Sequence, residues 1–361
     1  MRATYDPGPL EPTSPEQLAA YRDDVIPGLE QVRDDVWALG LGQPAGVRPL
    51  TTLCYLFRDT TGGFLLVDPG WNLEENWDRL VDALAELGAA PEDVHTIVAT
   101  HSHPDHAGMS SRFVALGARY LLGRDEPSGA DSMKARSAIA ELRSWGVPLS
   151  ELARIGRRRR RRRRRERRAS DSGRRRPRAN FREAMTQAEP TRVVGDGDRL
   201  DLPGFELEVI ATPGHTPGHI CLTDASRDIV LTGDLVLPTR FPGLGLGFSD
   251  HDRPAIADYL ESLAKLPASR EALPGHGFRF HGLETRIRQS AEHQLGRSRE
   301  VSRILAEDPH ASVWRIASRL HWAMGWENLV PSMRFSALRQ TAMHLNYVLS
   351  GVEIPMAADP D

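Results

Sequence analysis

Lysine is almost missing from this chain. Lys134 and Lys265 stand against forty-four arginines in 361 residues. The bias reads as coding composition and carries no mechanism. Cysteine is as scarce: Cys54 and Cys221 are the only two, and both sit inside apolar runs. That predicts buried free thiols, not a disulfide framework or a thiolate metal site. No run of eighteen apolar residues occurs, so no membrane-spanning helix is expected. The proline-rich, acidic stretch from Met1 to Asp24 lacks the apolar core of a secretory leader. No Gly-x-Ser-x-Gly elbow is present, so nothing points to a serine hydrolase of that kind. Together these absences predict a cytoplasmic protein with no membrane partner.

Charge is unevenly spread. The net charge is −3, yet residues 154 to 182 hold seventeen arginines against Glu166 and Asp171, a local charge of +15 that leaves −18 elsewhere. Within that tract Arg157 to Arg165 are nine consecutive arginines. Such a run repels itself and reads as a solvated, disordered loop. It is the one place where nucleic acid could dock, but no aromatic residue interleaves with it to stack bases. A small-molecule substrate is the expected partner. Oligomeric state is not legible.

Forty per cent hydrophobic content supports a sizeable core, and the length allows one large domain with an appendage. Residues 1–31 read as a loose N-terminal arm with one short helix near Pro15 to Arg22. Leu50 to Phe57 and Gly63 to Val67 form a predicted hairpin across a glycine-containing turn. Asn76 to Leu87 has helical spacing and stops at Gly88. Val94 to Thr100 is a β-branched apolar run, hence a buried strand. Residues 124–190 show no strand pattern, with a predicted helix over Ser132 to Trp145. Strands resume at Arg192, over Phe205 to Ala211, Ile220 to Leu222 and Asp228 to Leu231. A helix follows over Ile256 to Leu266, and three more over 283–306, 312–320 and 334–349.

The densest chemistry lies in Thr100-His101-Ser102-His103-Pro104-Asp105-His106-Ala107-Gly108. Three histidines and an aspartate fall within six residues. His101 and His103 are two apart, so an extended or turning segment points both rings the same way. Pro104 suits the first turn of a short helix that carries Asp105 and His106. Imidazole with carboxylate suits zinc, iron or manganese. Further candidates recur directly after predicted strands: Asp68 in Val67-Asp68-Pro69-Gly70, His215 in Gly214-His215-Thr216-Pro217-Gly218-His219, Asp234 in Thr232-Gly233-Asp234, and His276 in Pro274-Gly275-His276-Gly277. Strand followed by ligand, repeated along the chain, predicts one site along one sheet edge. Alone, His215 or His276 would be an ordinary structural histidine. Setting Asp68 aside leaves five histidines and two aspartates. That is more than one zinc needs and suits two metals that share a carboxylate and a water-derived bridge.

These motifs, in this order, resemble those of the metallo-β-lactamase fold superfamily of metallo-hydrolases, over about residues 32 to 285. The resemblance implies an α+β fold, an αββα four-layer sandwich with the metals at the rim between two sheets. It assigns His101, His103 and His215 to one metal and Asp105, His106 and His276 to the other, with Asp234 bridging. Asp68 then orients the cluster from outside the ligand set. Two divalent ions are implied, zinc first, with iron or manganese as alternatives. The domains expected are the arm 1–31, a catalytic domain 32–285 with the insertion 124–190, and a helical domain 286–361. The last resembles the winged-helix-like appendage of lactamase-β-like proteins.

The aspartate at the bridging position and the Asp-His pair resemble glyoxalase II-type hydrolases more than zinc β-lactamases. The activity implied is hydrolysis of a thioester, ester or lactone by a metal-bridging hydroxide, with Asp105 as the catalytic residue that orients the nucleophile as well as ligating. Two alternatives stand beside it. One is a metal-dependent endoribonuclease of the same fold, using the arginine tract. The other is a mononuclear-iron, sulfur dioxygenase-like oxidoreductase. The insertion, residues 238–250 and the C-terminal helices carry no motif that names a substrate.

Overall fold

A computed structural model describes residues 10–47, 51–127, 138–154, 187–245, 253–268 and 270–352. The arginine run 157–165 and the first part of the helix expected from Ser132 lie outside the described residues.

The strands in chain order are β1 (Glu11–Pro12), β2 (Leu29–Arg33), β3 (Val36–Gly42), β4 (Thr51–Arg58), β5 (Phe64–Val67), β6 (Val94–Ala99), β7 (Arg119–Gly123), β8 (Arg192–Val194), β9 (Glu208–Ala211), β10 (Ile220–Asp224), β11 (Ile229–Gly233), β12 (Glu271–Pro274) and β13 (Phe280–His281). They form two sheets. The seven-stranded sheet runs β2 to β8 in sequence order. Its first four strands pair antiparallel, and β5, β6, β7 and β8 pair parallel. The six-stranded sheet has the order β1-β13-β12-β11-β10-β9, antiparallel except for β11 beside β12.

Strand β4 explains why these runs are continuously apolar. Successive side chains point to opposite faces. Leu53, Tyr55 and Phe57 enter the core between the sheets, where they meet Val209, Leu222, Leu231 and Leu273 of the other sheet. Cys54 and Leu56 enter a second core with Leu80 and Leu84 of the helix Glu74–Glu86 and Phe113 of the helix Ser110–Ala115. Both faces are covered, so alternation disappears and only the length of the run marks a strand. Beyond the six-stranded sheet, the helix Ala255–Lys265 buries Ile256, Tyr259 and Leu263, and Tyr259 Oη donates to the carbonyl of Leu235. The result is the expected αββα layering. Cys54 and Cys221 are buried and free, and burial pushes the Cys221 thiol up to about 12.

Two expectations need correction. The N-terminal arm is no loose segment from Leu10 onward. Glu11–Pro12 pairs with β13. The helix Pro15–Asp23 is capped by Ser14, whose Oγ accepts from the Gln17 amide, and Leu29–Arg33 is an edge strand. The helix lacks an apolar stripe because it buries Gln17 and Ala20, and Gln17 Oε1 accepts the amide of Arg279. Periodicity could not show that. The domain division also differs. The chain forms two units, Met1–Met133 with Arg182–Ala291, and Lys134–Phe181 with Glu292–Asp361. Part of the expected insertion therefore belongs with the C-terminal helices. Leu142 of the helix Ala138–Ser144 packs with Val313, Ala317, Trp326 and Leu338. Among the described residues this second unit contains helices and no strand. No described helix is long and apolar enough to cross a membrane.

Candidate metal centre

Strand β6 ends at Ala99, the chain bends over Thr100 to Ser102, and His103 is extended (φ −64°, ψ 147°). Pro104 then opens the four-residue helix Pro104–Ala107, whose His106 and Ala107 amides both donate to the His103 carbonyl at 2.9 Å. His101 and His103 thus precede the turn, and Asp105 and His106 lie on it. His215 comes from the turn between β9 and β10, Asp234 directly follows β11, and His276 follows β12. One sheet supplies four of these side chains and the other supplies three.

All seven converge. His101 Nε2 lies 2.7 Å from His103 Nδ1, which lies 3.2 Å from His215 Nε2. His276 Nε2 lies 3.5 Å from Asp105 Oδ2 and 3.4 Å from Asp234 Oδ1, and His106 Nε2 lies 3.6 Å from Asp234 Oδ1. The other oxygen of Asp234, Oδ2, lies 3.7 Å from His215 Nε2. Three sets of donors fall within 4.8 Å of one another: His101, His103 and His215; His101, His106 and Asp234; and Asp105, His106 and His276. One Asp234 oxygen faces each end. Of the aspartates and the histidines 106, 215 and 276, Asp105 has the most open side chain, at 20 % exposure.

The outward ring nitrogens are fixed one by one. His106 Nδ1 lies 2.8 Å from Asp68 Oδ2, His215 Nδ1 donates to Gly243 O, and His276 Nδ1 donates to Thr51 O. Donation at Nδ1 leaves the Nε2 lone pair turned inward, as a metal ligand requires. Asp68 also accepts from the Thr100 amide and hydroxyl. It does so from a left-handed backbone (φ 55°), a conformation aspartate tolerates better than most residues. The sequence pointed to Asp68, but it gave no role to two other supports. Gln43 donates through Nε2 to Asp105 Oδ2 (3.1 Å) and Thr52 Oγ1, and its Oε1 accepts from Trp71 Nε1. His219 accepts the Asp234 amide at Nε2 (3.1 Å) and lies 2.9 Å from Thr212 Oγ1 at Nδ1. It stands in the Gly-His-Thr-Pro-Gly-His motif, yet it orients the aspartate from behind.

The electrostatics divide the centre. Burial, reinforced by neighbouring imidazoles, holds His101 well below the ordinary histidine value. Burial likewise brings His215 down to about 4 against the pull of Asp234. Burial also depresses His106 and His276, but carboxylates overcome it. Asp68, Asp234 and Asp105 raise His106 to about 9, and Asp234 and Asp105 raise His276 well above 6.5. Burial opposes ionisation of Asp105 and Asp234, yet the surrounding histidines keep both well below the usual carboxylate range.

His106 Nε2 and Asp234 Oδ1 are buried and have no hydrogen-bond partner. Such orphans are costly unless something else binds them. A divalent cation fits: it takes the lone pairs that no donor reaches, and the donor set of imidazole and carboxylate suits zinc, iron or manganese.

The metallo-beta-lactamase superfamily profile matches residues 47–276. The chain is 25% identical over 334 residues to the Bacillus subtilis protein named "Probable metallo-hydrolase YqjP", covering 87% of this chain and 92% of that one. It is 24% identical to the hydroxyacylglutathione hydrolase GloC of Haemophilus influenzae, covering 62% of this chain and 84% of the relative. A metallo-beta-lactamase family protein of Thermus thermophilus superimposes with a TM-score of 0.65 at 25% identity, over 89% of this chain and 95% of that one. Two facing sheets and a profile that covers all seven convergent donors place this chain in the metallo-β-lactamase superfamily of metallo-hydrolases.

Proposed function

We propose that the chain hydrolyses a thioester, ester or lactone with two divalent metal ions, zinc first among the candidates. His101, His103 and His215 would hold one ion, and Asp105, His106 and His276 the other, with Asp234 between them. The observation that carries this reading is Asp234, whose two oxygens face two separate groups of donors. When bound, such ions would supply Lewis acidity, lowering the pKa of water toward about 7 and polarising a carbonyl oxygen. The protein does the rest. Asp68, Gly243 and Thr51 hold the imidazoles in the tautomer that presents Nε2 inward. Asp105, the most open carboxylate of the centre and held by Gln43, would orient the attacking water as well as ligate. The similarity to GloC supports a thioester as the first substrate class to try.

Metal analysis of the purified protein, with turnover on acyl thioesters, esters, lactones, phosphodiesters and RNA, tests the reading. Two zinc ions per chain and thioester turnover are expected, with one ion and activity lost in His103→Ala while the fold persists. A single iron with oxygen consumption, or RNA cleavage without thioester turnover, would replace it.

A further inference from the structure

Glu126 follows β7, carries no motif and lies outside the donor set, yet its side chain is buried at the back of the centre. We propose that Glu126 is the positioning residue of the three-histidine group, with one carboxylate tying the loop of His101 and His103 to the loop of His215. This rests on the two-ion reading above.

The geometry is a clasp. Glu126 Oε2 accepts from the Ser102 amide at 2.9 Å and the Ser102 hydroxyl at 2.6 Å. Ser102 is the residue between His101 and His103. Oε1 accepts from the Gly218 amide at 3.1 Å, and Gly218 belongs to the turn that presents His215. Three donors converge on one carboxylate, and hydrogen bonds to an ionised acceptor are roughly twice as strong as neutral ones. The backbones beside the clasp touch. A Cβ on Gly218 would lie 2.2 Å from the Glu126 nitrogen, and a Cβ on Gly123 would lie 1.9 Å from the Gly218 carbonyl oxygen. No side chain fits between them, so the β7 turn and the His215 turn are pressed together. Gln187 Nε2 completes the arrangement by donating to the Ser102 carbonyl at 2.7 Å.

The chemistry follows from where the clasp acts. His101 and His103 come from one sheet and His215 from the other. Glu126 bonds to backbone beside both, so it sets the distance between donors that must meet one ion. The second group is held by other means: Asp68 on His106, Gln43 on Asp105 and the Thr51 carbonyl on His276. Loosening Glu126 therefore acts on one ion and spares the other. Glutamine in its place offers one acceptor oxygen and an NH2 that faces another donor, so one end of the clasp opens.

The test is titration of metal-free protein with Co2+, read by the visible absorption of bound cobalt, with circular dichroism as the check on folding. Wild type, Glu126→Gln, Ser102→Ala, His103→Ala and His276→Ala are compared. The wild type takes two ions. Glu126→Gln keeps its dichroism and loses affinity for one ion by about 10–100-fold. The ion it retains has the absorption of the one retained by His103→Ala. Ser102→Ala, which keeps the backbone half of the contact, weakens the same ion a few-fold. Wild-type affinity at both ions in Glu126→Gln, or loss of the ion that His276→Ala loses, overturns the proposal. Should Glu126→Gln fail to fold, Ser102→Ala decides: weakening at the same ion upholds the clasp, and unchanged binding at both overturns it. A wild type that takes only one ion refutes the two-ion reading itself. The clasp is then judged on that ion, and is overturned if Glu126→Gln holds it as tightly.

Discussion

Two buried histidines, one in each unit of the chain, are driven in opposite directions. His344, in the helical unit, sits with Nδ1 2.9 Å from Ser298 Oγ. Burial, then Arg297 and His293, bring it down to about 3. His106 is as deeply buried, but Asp68, Asp234 and Asp105 carry it up to about 9. Burial acts the same way on both, and the carboxylates reverse it. The first pattern is what a core does with an imidazole: keep it neutral and give it one hydroxyl. The second concentrates negative charge around lone pairs, which the interior tolerates only beside a proton or a cation. A strongly perturbed group with specific charged partners marks a site better than burial alone.

The largest expected effect breaks the charged side of this comparison. Asp234→Asn keeps the shape of the side chain but leaves one good ligand oxygen and no charge. Turnover should fall by more than about 100-fold and the second ion should bind much more loosely, while folding is retained. Metal titration with steady-state kinetics measures both. Near-normal turnover with two tight ions would leave Asp234 as a turn residue only.

A smaller effect reads the protons directly. Below about pH 9 the metal-free His106 carries a proton, and His276 is shifted in the same direction. A ligand imidazole must be neutral, so metal uptake at pH 7.5 should release at least about one proton. Affinity should then weaken about tenfold per pH unit for each proton displaced. Calorimetry in two buffers of different protonation enthalpy counts the protons. Uptake with none released would erase the distinction between the two histidines.

The smallest effect belongs to His344. Its folded value lies below the ordinary 6.5, so between pH 6.5 and about 3 the unfolded chain binds the extra proton. Stability is full above 6.5 and declines as pH falls, by about 1 kcal/mol per unit. Fluorescence of Trp314, Trp322 and Trp326 during denaturant titrations at several pH values should show this slope. His344→Gln should flatten it, and an equal slope in the variant would remove His344 as the cause.

Most of the candidate donors were legible because each sits shortly after a strand, in or beside a turn. Gly-His and Gly-Asp pairs with nearby proline announce such turns without any tertiary information. The αββα layering was legible only through the family resemblance; the apolar runs at β4 and β6 marked buried strands but not the layers around them. What stayed hidden depends on pairing across the fold. Gln43 and Glu126 reach the centre from turns after β3 and β7, and nothing in their neighbourhoods differs from a surface loop. The helix Pro15–Asp23 buries a glutamine that meets a backbone amide more than two hundred residues away, and no periodicity records that. The domain division differs likewise, because Leu142 shares its apolar cluster with residues from Val313 to Leu338.

The donors for the first ion lie on both sheets, and His103 and His215 are 112 residues apart in the chain. An ion held there would be a removable cross-link that closes a loop of more than a hundred residues. Loop closure costs entropy that grows only slowly with length, and an ion that binds only the folded chain adds its binding free energy to stability. Chelation would then unfasten the rim of the sandwich as well as stop catalysis. The same protein would differ in resistance to unfolding with the metal supply it meets.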